Sequence, residues 1–390
     1  MITKYQIILI GGHNPYSNEI LKILFKRVIE LGLKKENFAI LTKDNFYDSY
    51  KANAPTFCLY FGKDGSVIAD LDILRTLLKD ATLVLPVVDD LTKFNSLIPK
   101  ELANINGFEL SRRNEVESLV SSILEGFSLL RLSRRLFISY KRNESSAVAI
   151  QLFEQLCKNG FDVFLDTHSI RTGEPFQEEL WHRMADTDVV VLLNTPGFLK
   201  SNWTIKELAE ANTMSIGILQ LVWPTHSAER EAELSIPLYL NEADFGNNLF
   251  ADAKSFLKQK AIDKVVSEVE SLRARSLAAR QDNITTEFIT SANKVGVIVD
   301  LQPEKFILVK DSNGNELVVI PTIGVPQAFT YNQSEELVSV IKSKNIKGAY
   351  VLYDHRNIRE KWVKHLSWLD SYLPIKTIKI VEAEKWLKRI

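Results

Sequence analysis

The residues of this sequence best suited to chemistry are an aromatic and an acidic side chain four positions apart. They are Trp203 and Glu207, within Ser201–Leu208. On a helix, side chains at this spacing share one face. An aromatic ring beside a carboxylate suits a cationic or oxocarbenium-like ligand, because the ring stacks on it while the carboxylate balances its charge. A structural interpretation competes, since Thr204 and Glu207 have the spacing of a capping box, with Trp203 and Leu208 as a hydrophobic staple. The local pattern alone favours the cap.

The loop from Asp166 to Pro175 is a second candidate. It follows the predicted strand Phe161–Leu165, so Asp166 stands at the carboxyl end of that strand, and Phe176 begins the next predicted helix. In parallel α/β sheets, ligands bind outside the carboxyl ends of the strands. An ordinary connecting loop punctuated by Gly173 and Pro175 explains the same residues, and the local pattern favours it.

A third candidate lies at the end of the predicted strand Arg135–Tyr140. Tyr140 offers an aromatic face, and the Lys141 and Arg142 side chains could bind phosphate, although a solvated basic turn is an equally good interpretation. The three features all occupy strand carboxyl ends or helix N-termini of one predicted sheet. This shared placement favours a common functional site more than any single feature does.

The chemistry allowed by this placement is cleavage of an N-glycosidic bond in a nucleotide. Its transition state resembles an oxocarbenium ion, which a carboxylate stabilises. A leaving group that is already cationic, such as nicotinamide, needs no general acid, so the single strongly indicated carboxylate is sufficient.

Four stretches occur in the order found in TIR (Toll/interleukin-1 receptor) domains: Leu136–Arg142, Phe161–Asp166, Arg171–Phe176 and Trp203–Glu207. The sequence therefore resembles a bacterial TIR domain of the enzymatic kind, closely over residues 133–225 and loosely over the helix that follows. The resemblance implies a flavodoxin-like fold with a central parallel sheet.

The resemblance also implies roles for individual residues. It makes Glu207 the catalytic carboxylate, and with it catalysis is preferred over capping. It assigns substrate binding to Tyr140, Lys141, Arg142, Asp166, Phe176 and Trp203. Lys141 stands where arginine is commoner in the family, which keeps the charge but loses the bidentate fork. The loop Thr167–Pro175 matches the one that governs assembly of TIR domains and access to their site.

Strands alternating with helices predict an α/β fold in three segments. Residues 1–132 are predicted to form a Rossmann-like α/β domain that regulates the protein or mediates its assembly. Residues 133–285 form the TIR domain, which includes a long closing helix over residues 251–281. Residues 286–390 are predicted to form a C-terminal α/β domain that senses a signal or mediates assembly. Its first predicted strand is Val295–Val299.

Composition narrows the class of protein. The 390 residues include 48 Lys and Arg and 49 Asp and Glu, for a net charge of −1, which argues against a dedicated nucleic-acid binder. Cys58 and Cys157 lie in apolar runs and are predicted to be buried free thiols of a reducing compartment. Scattered histidines predict no metal site. Apolar runs are too short for a membrane span, so we expect a cytoplasmic protein without a membrane partner.

The leading interpretation is an enzyme that consumes NAD⁺, an NAD⁺ nucleosidase or ADP-ribosyl cyclase, with NAD⁺ as substrate and no cofactor. The product could be linear, cyclic or transferred ADP-ribose. The alternative is a non-catalytic TIR adaptor acting through TIR–TIR contacts, and a nucleotide-binding sensor in the first or last segment is compatible with either. The layout also resembles bacterial TIR proteins of anti-phage defence, which implies self-association through TIR domains and an activating ligand or partner protein.

Overall fold

The computed structural model describes residues 5–52, 54–62, 68–127, 129–165, 176–198, 215–228, 235–302, 304–341 and 345–390, with the backbone alone at 176–180 and 340. In these residues the strands form three five-stranded sheets, and helices connect many of the strands. The first two sheets are wholly parallel, and the third is mixed. The predicted α/β fold class is therefore confirmed.

The first sheet has the strand order β2-β1-β3-β4-β5. Its strands are β1 (Tyr5–Gly11), β2 (Phe38–Thr42), β3 (Thr56–Phe61), β4 (Leu83–Val88) and β5 (Phe108–Glu109). The helices of this segment are α1 (Ser17–Glu30), α2 (Phe46–Ser49), α3 (Leu71–Lys79), α4 (Phe94–Leu97) and α5 (Val116–Gly126). At the end of β1, Gly11 has φ of 89°, and a Cβ there would lie 2.5 Å from the Phe61 carbonyl oxygen, so the approach of β1 to β3 requires glycine.

The second sheet has the strand order β10-β9-β8-β6-β7. Its strands are β6 (Arg135–Ser139), β7 (Asp162–Leu165), β8 (Val189–Asn194), β9 (Gly217–Val222) and β10 (Ile236–Tyr239). The described residues of this segment include the helices α6 (Arg142–Lys158) and α7 (Phe176–Ala185). Counted within its own segment, this sheet has the same order as the first, second-first-third-fourth-fifth. The order reverses between β6 and β8, the kind of switch point at which α/β proteins bind ligands.

The third sheet has the order β11-β12-β13-β14-β15. Its strands are β11 (Val299–Leu301), β12 (Ile307–Lys310), β13 (Glu316–Thr322), β14 (Ile346–Tyr353) and β15 (Lys376–Lys379). The remaining helices are α8 (Gln259–Val295), α9 (Ala328–Val340), α10 (Glu360–Tyr372) and α11 (Ala383–Leu387). The first three strands pair antiparallel and the last three parallel.

The long helix is displaced along the chain from its predicted bounds of 251–281. It starts later because the preceding chain forms a loop, in which Phe245 bridges to Leu257 and both side chains are buried. It continues to Val295 because Phe288 and Ala292 pack in the core of the C-terminal sheet. The predicted strand Val295–Val299 is therefore wrong.

Glycine marks the true end of this helix and of α6. Gly296 follows α8 with φ of 75°, the left-handed conformation that ends helices. Gly160, two residues beyond the last residue of α6, has φ of 80°, which confirms the stop predicted for that helix.

The chain divides into two compact units. One comprises residues 1–132 with 266–274 of α8, and the other comprises 133–265 with 275–390. The second unit thus contains both the second and the third sheet. The boundaries 1–132, 133–285 and 286–390 remain a prediction.

The two cysteines have different environments. Cys58 on β3 is fully buried, which raises the pKa of its thiol. Cys157 is exposed, so its predicted burial is wrong. The reason is helical geometry, because Cys157 lies one position beyond the buried stripe that ends at Leu156.

Among the described helices, none combines the length and the apolar character needed to cross a membrane.

Candidate functional site

Three of the predicted binding residues follow β6 directly. Tyr140 is buried, with 6% of its surface exposed, while Lys141 occupies the N-cap position of α6 and Arg142 is the first residue of that helix. Their backbone therefore lies at the carboxyl edge of the second sheet, beside the switch point, as the strand assignment predicted. Their role in binding substrate remains a prediction.

The Lys141 ammonium makes an ion pair with Glu144, one helical turn further along α6. The other oxygen of that carboxylate accepts a hydrogen bond from the Gly197 amide, at 3.0 Å. A Cβ at position 197 would collide with both members of the pair, so glycine permits this close approach. Lys141 and Glu144 thus connect the ends of β6 and β8 across the switch point.

Glu144 is a residue that the sequence reasoning missed. Its place depends on Gly197, 53 positions away along the chain. The spacing of Lys141 and Glu144 at the start of a helix was the available signal, because residues three apart on a helix can pair.

We expect the Glu144 carboxylate to make stability depend on pH. Burial tends to raise its pKa, but hydrogen bonds to the carboxylate, the largest effect being that of Lys141, outweigh burial and leave the pKa below its usual value. A lowered pKa stabilises the fold above the pKa of an unfolded glutamate, about 4.3, and this contribution is lost as the pH falls through the folded value. Urea denaturation should show a free-energy advantage of wild type over Glu144→Gln at pH 7 that shrinks below about pH 4.3.

Glu154→Gln is the matched control for this measurement, because Glu154 is an exposed carboxylate on the same helix. It should follow wild type across the pH range. An advantage over Glu144→Gln that stays constant from neutral to acidic pH would contradict the account of Glu144.

Two buried polar side chains also lie at the carboxyl edge of this sheet. Ser139 ends β6 and Asn194 ends β8, and both are fully buried. The Asn194 amide nitrogen donates to the Ser227 carbonyl at 3.0 Å. Within the described part of the chain, the Ser139 hydroxyl and the Asn194 amide oxygen have no hydrogen-bond partner. Buried polar atoms are rarely left in that state, so they mark a place where a ligand can bind.

Of the remaining predicted site residues, the structure describes only the backbone of Phe176. Asp166, Trp203 and Glu207 lie outside the described residues, as does the loop Thr167–Pro175. Phe176 is the first residue of α7. The described flanks show where these segments attach, since Leu165 ends β7 and Phe198 follows β8 and packs in the core of the second sheet.

The C-terminal end of α7 is held by the C-terminal segment. The His182 ring, 8% exposed, stacks on the Trp362 ring of α10, with centroids 5.4 Å apart and planes at 16°. Ala185 packs into the apolar cluster of the third sheet. The Asp186 carboxylate accepts a hydrogen bond from the Val325 amide at 3.2 Å. The helix that follows the loop Thr167–Pro175 is therefore anchored to the C-terminal segment, which the sequence did not indicate.

An open cleft lies beside this anchored end. Arg280 on α8 lines it and donates to the carbonyls of Ala185 and Thr187, at 2.8 and 2.7 Å. On the other side, the Arg356 guanidinium binds the Asp354 carboxylate at 2.8 Å. Arg356 also binds the Glu287 carboxylate at 3.4 Å, so the charged side chains that line the cleft bind either carbonyl groups or one another.

Comparison with protein families assigns the segment that carries the switch point. A family model described as TIR domain matches residues 136–249, the range that contains all but the first residue of the second sheet. The middle of this chain is a TIR domain.

A curated bacterial protein supports this assignment at low identity. Over 72 residues the chain is 28% identical to 2′ cyclic ADP-D-ribose synthase BtTIR of Bacteroides thetaiotaomicron. The aligned stretch covers 18% of this chain and 25% of that protein, so the chain spans about a quarter of the length of the relative it matches.

Proposed function

We propose that this chain cleaves the bond between nicotinamide and ribose in NAD⁺, as an NAD⁺ nucleosidase or an ADP-ribosyl cyclase. The observation that carries the proposal is the TIR domain at residues 136–249, with a relative named for the synthesis of a cyclic ADP-ribose. Such a ring contains no nicotinamide, so its formation from NAD⁺ requires this bond to break. We propose bacterial immunity as the setting, through NAD⁺ depletion or a signalling nucleotide.

In the proposed reaction, the bond between ribose C1′ and the pyridinium nitrogen breaks, and its electron pair moves to that nitrogen. Nicotinamide leaves as a neutral molecule, and positive charge develops on the ribose ring. The Glu207 carboxylate stabilises that charge, and Trp203 stacks against the ligand. A water molecule, or a hydroxyl of the same ADP-ribose, then bonds to C1′ and releases its proton to solvent.

The other predicted residues bind substrate in this scheme. Lys141 and Arg142 attract the pyrophosphate, and Tyr140 provides an aromatic surface beside them. Support for this role is their common position at the carboxyl end of β6, next to the switch point. Asp166 and Phe176, on either side of the loop Thr167–Pro175 in the sequence, complete the proposed set of substrate-binding residues.

We expect cleavage to need no metal, because a neutral leaving group requires no Lewis acid to carry away charge. Protein dialysed against EDTA should release nicotinamide from NAD⁺ at the rate of untreated protein. The measurement is chromatography of the products, with added Mg²⁺ as the comparison. Loss of activity with EDTA and recovery with Mg²⁺, or the appearance of NADH, would contradict the proposed chemistry.

We also propose that activity depends on assembly through the loop Thr167–Pro175. Ordering a free loop costs about 1–2 kcal/mol per residue, and packing against a second TIR domain can offset that cost. The rate per subunit should therefore rise with protein concentration, and Gly173→Val should abolish the rise, because valine excludes backbone conformations open to glycine.

The assembly prediction is checked by measuring specific activity over a thousandfold dilution, with circular dichroism to establish that Gly173→Val is folded. Specific activity that stays high and flat on dilution, with wild-type behaviour of Gly173→Val, would mean that the domain acts as a constitutive enzyme.

The anchoring of α7 supports a regulatory role for the C-terminal segment. His182, Ala185 and Asp186 attach the end of α7 to that segment, and α7 begins where the loop Thr167–Pro175 ends. A ligand or partner that moves the C-terminal segment would act on the loop through this helix.

A further inference from the structure

We infer that Ser139 and Asn194 bind the carboxamide group of the nicotinamide ring. The inference rests on the proposed function and concerns two residues to which the sequence analysis assigned no role. Both side chains are fully buried at the carboxyl ends of β6 and β8. These strands flank the switch point, where a ligand of this fold binds.

The two side chains lie on the same face of the sheet. Ser139 pairs with Leu192 in the register of β6 and β8, and Asn194 is two positions beyond Leu192. Side chains alternate along a strand, so Asn194 shares the face of Leu192, and Ser139 shares that of Phe137. Phe137 and Leu192 belong to one apolar cluster with Met184 of α7. Ser139 and Asn194 therefore extend the row of this cluster toward the open edge of the sheet.

The register also sets their separation. One strand spacing of about 4.8 Å and a rise of about 3.3 Å per residue place the two Cα atoms about 8 Å apart. Two side chains on one face at this Cα separation can both reach a planar carboxamide placed between them, each through a hydrogen bond of about 2.9 Å.

The available hydrogen-bonding atoms are complementary to a carboxamide. The Asn194 nitrogen donates to the Ser227 carbonyl, which can only accept, so the orientation of the side-chain amide is fixed. Its oxygen is then an acceptor for the carboxamide NH₂, while the Ser139 hydroxyl donates to the carboxamide oxygen. In the described residues neither atom has a protein partner, so the ligand supplies the missing hydrogen bonds.

The arrangement selects against a carboxylate in the same place. Nicotinic acid adenine dinucleotide differs from NAD⁺ in having a carboxylate on the pyridine ring, which has no hydrogen to donate. The Asn194 oxygen would remain unpaired and face a negative charge. We expect wild type to cleave NAD⁺ with kcat/KM about 100-fold above that for the acid.

The test compares kcat/KM for the two dinucleotides in wild type, Ser139→Ala and Asn194→Leu, at a protein concentration that supports assembly. Loss of carboxamide recognition should lower kcat/KM for NAD⁺ about 10-fold while changing the value for the acid little. The preference for NAD⁺ over the acid should therefore fall from about 100-fold to about 10-fold. A purely structural role would lower both values together and preserve the ratio. This ratio therefore distinguishes recognition from damage to the fold, including any caused by losing the bond from Asn194 to Ser227.

Ser276→Ala is the matched control. Ser276 is a buried serine at the opposite, amino-terminal edge of the same sheet, where its hydroxyl accepts from the Gly217 amide at 2.9 Å. It should lower stability and leave the substrate ratio unchanged. If wild type cleaves NAD⁺ but both variants keep its preference, the inference is wrong and the proposed function stands. If folded, assembled wild type cleaves neither dinucleotide, the proposed function fails and the inference with it.

Discussion

Replacing Glu207 by glutamine is expected to lower the rate of NAD⁺ cleavage about 100-fold or more, the effect of losing an electrostatic partner of the transition state. Glutamine keeps most of the geometry of the proposed capping box, so the free energy of unfolding should fall by only about 1 kcal/mol. The change therefore separates the catalytic and the capping interpretations of this residue. The measurements are nicotinamide release and urea denaturation of the same preparation.

Glu210→Gln is the matched control, because it makes the same chemical change three positions away in the sequence. We expect it to retain the activity of wild type. A folded Glu207→Gln protein with near-wild-type turnover would remove Glu207 from the mechanism.

Replacing Arg273 by methionine should cause the largest loss of stability among the variants proposed for this protein. The Arg273 side chain on α8 is fully buried, and its guanidinium donates to the Glu125 carboxylate at 2.7 Å and to the Arg131 carbonyl at 2.6 Å. Its removal leaves Glu125, which is 12% exposed, without its buried countercharge. Breaking a buried pair from one side costs about 3–5 kcal/mol, so we expect a loss of that size in the free energy of unfolding of the unit containing residues 1–132 and 266–274.

An exposed pair in the same unit provides the control. The Arg113 side chain is 76% exposed and binds Glu19 at 2.6 Å. Arg113→Met should cost less than about 1 kcal/mol, because solvent screens exposed ion pairs. Equal losses for the two variants, measured by urea denaturation, would show that burial does not control the strength of these pairs.

Most strands of the first two sheets could be predicted, because they are short apolar runs between breakers. Strands β5 and β10 could not, because β5 has only two residues and β10 has a single buried one. The interior strand Val189–Asn194 is the clearest example, since every residue of it is buried. The α/β fold class follows from the alternation of such runs with helices. The shared strand order of the two sheets could not be predicted, because it depends on which strands pair across the chain.

The long helix shows the limit of a local pattern. Residues 251–258 have the composition of a helix but form a loop. The loop lets Leu257 form a backbone β-bridge with Phe245, and both side chains are buried there. At the other end, packing of Phe288 against the third sheet extends the helix well beyond the predicted end. Tertiary contacts therefore set both ends of this element.

The candidate site divides in the same way. Tyr140, Lys141 and Arg142 could be found from the sequence, because their position follows from the end of an apolar strand. For Glu144 the sequence offers only its spacing from Lys141, and for Asn194 no signal, because their significance depends on contacts with Gly197 and Ser227. Sequence motifs thus identify residues that act next to a strand end, while residues that complete the site through distant contacts require the fold.

Chromatography of NAD⁺ incubated with the purified full-length chain tests the central proposal most directly. The account predicts that nicotinamide appears in equal amount to the NAD⁺ consumed, together with a linear or cyclic ADP-ribose, and that Glu207→Gln slows the formation of both about 100-fold or more. NAD⁺ that remains intact with folded protein at concentrations that support TIR self-association would contradict it, and would favour a TIR domain that acts only through protein contacts.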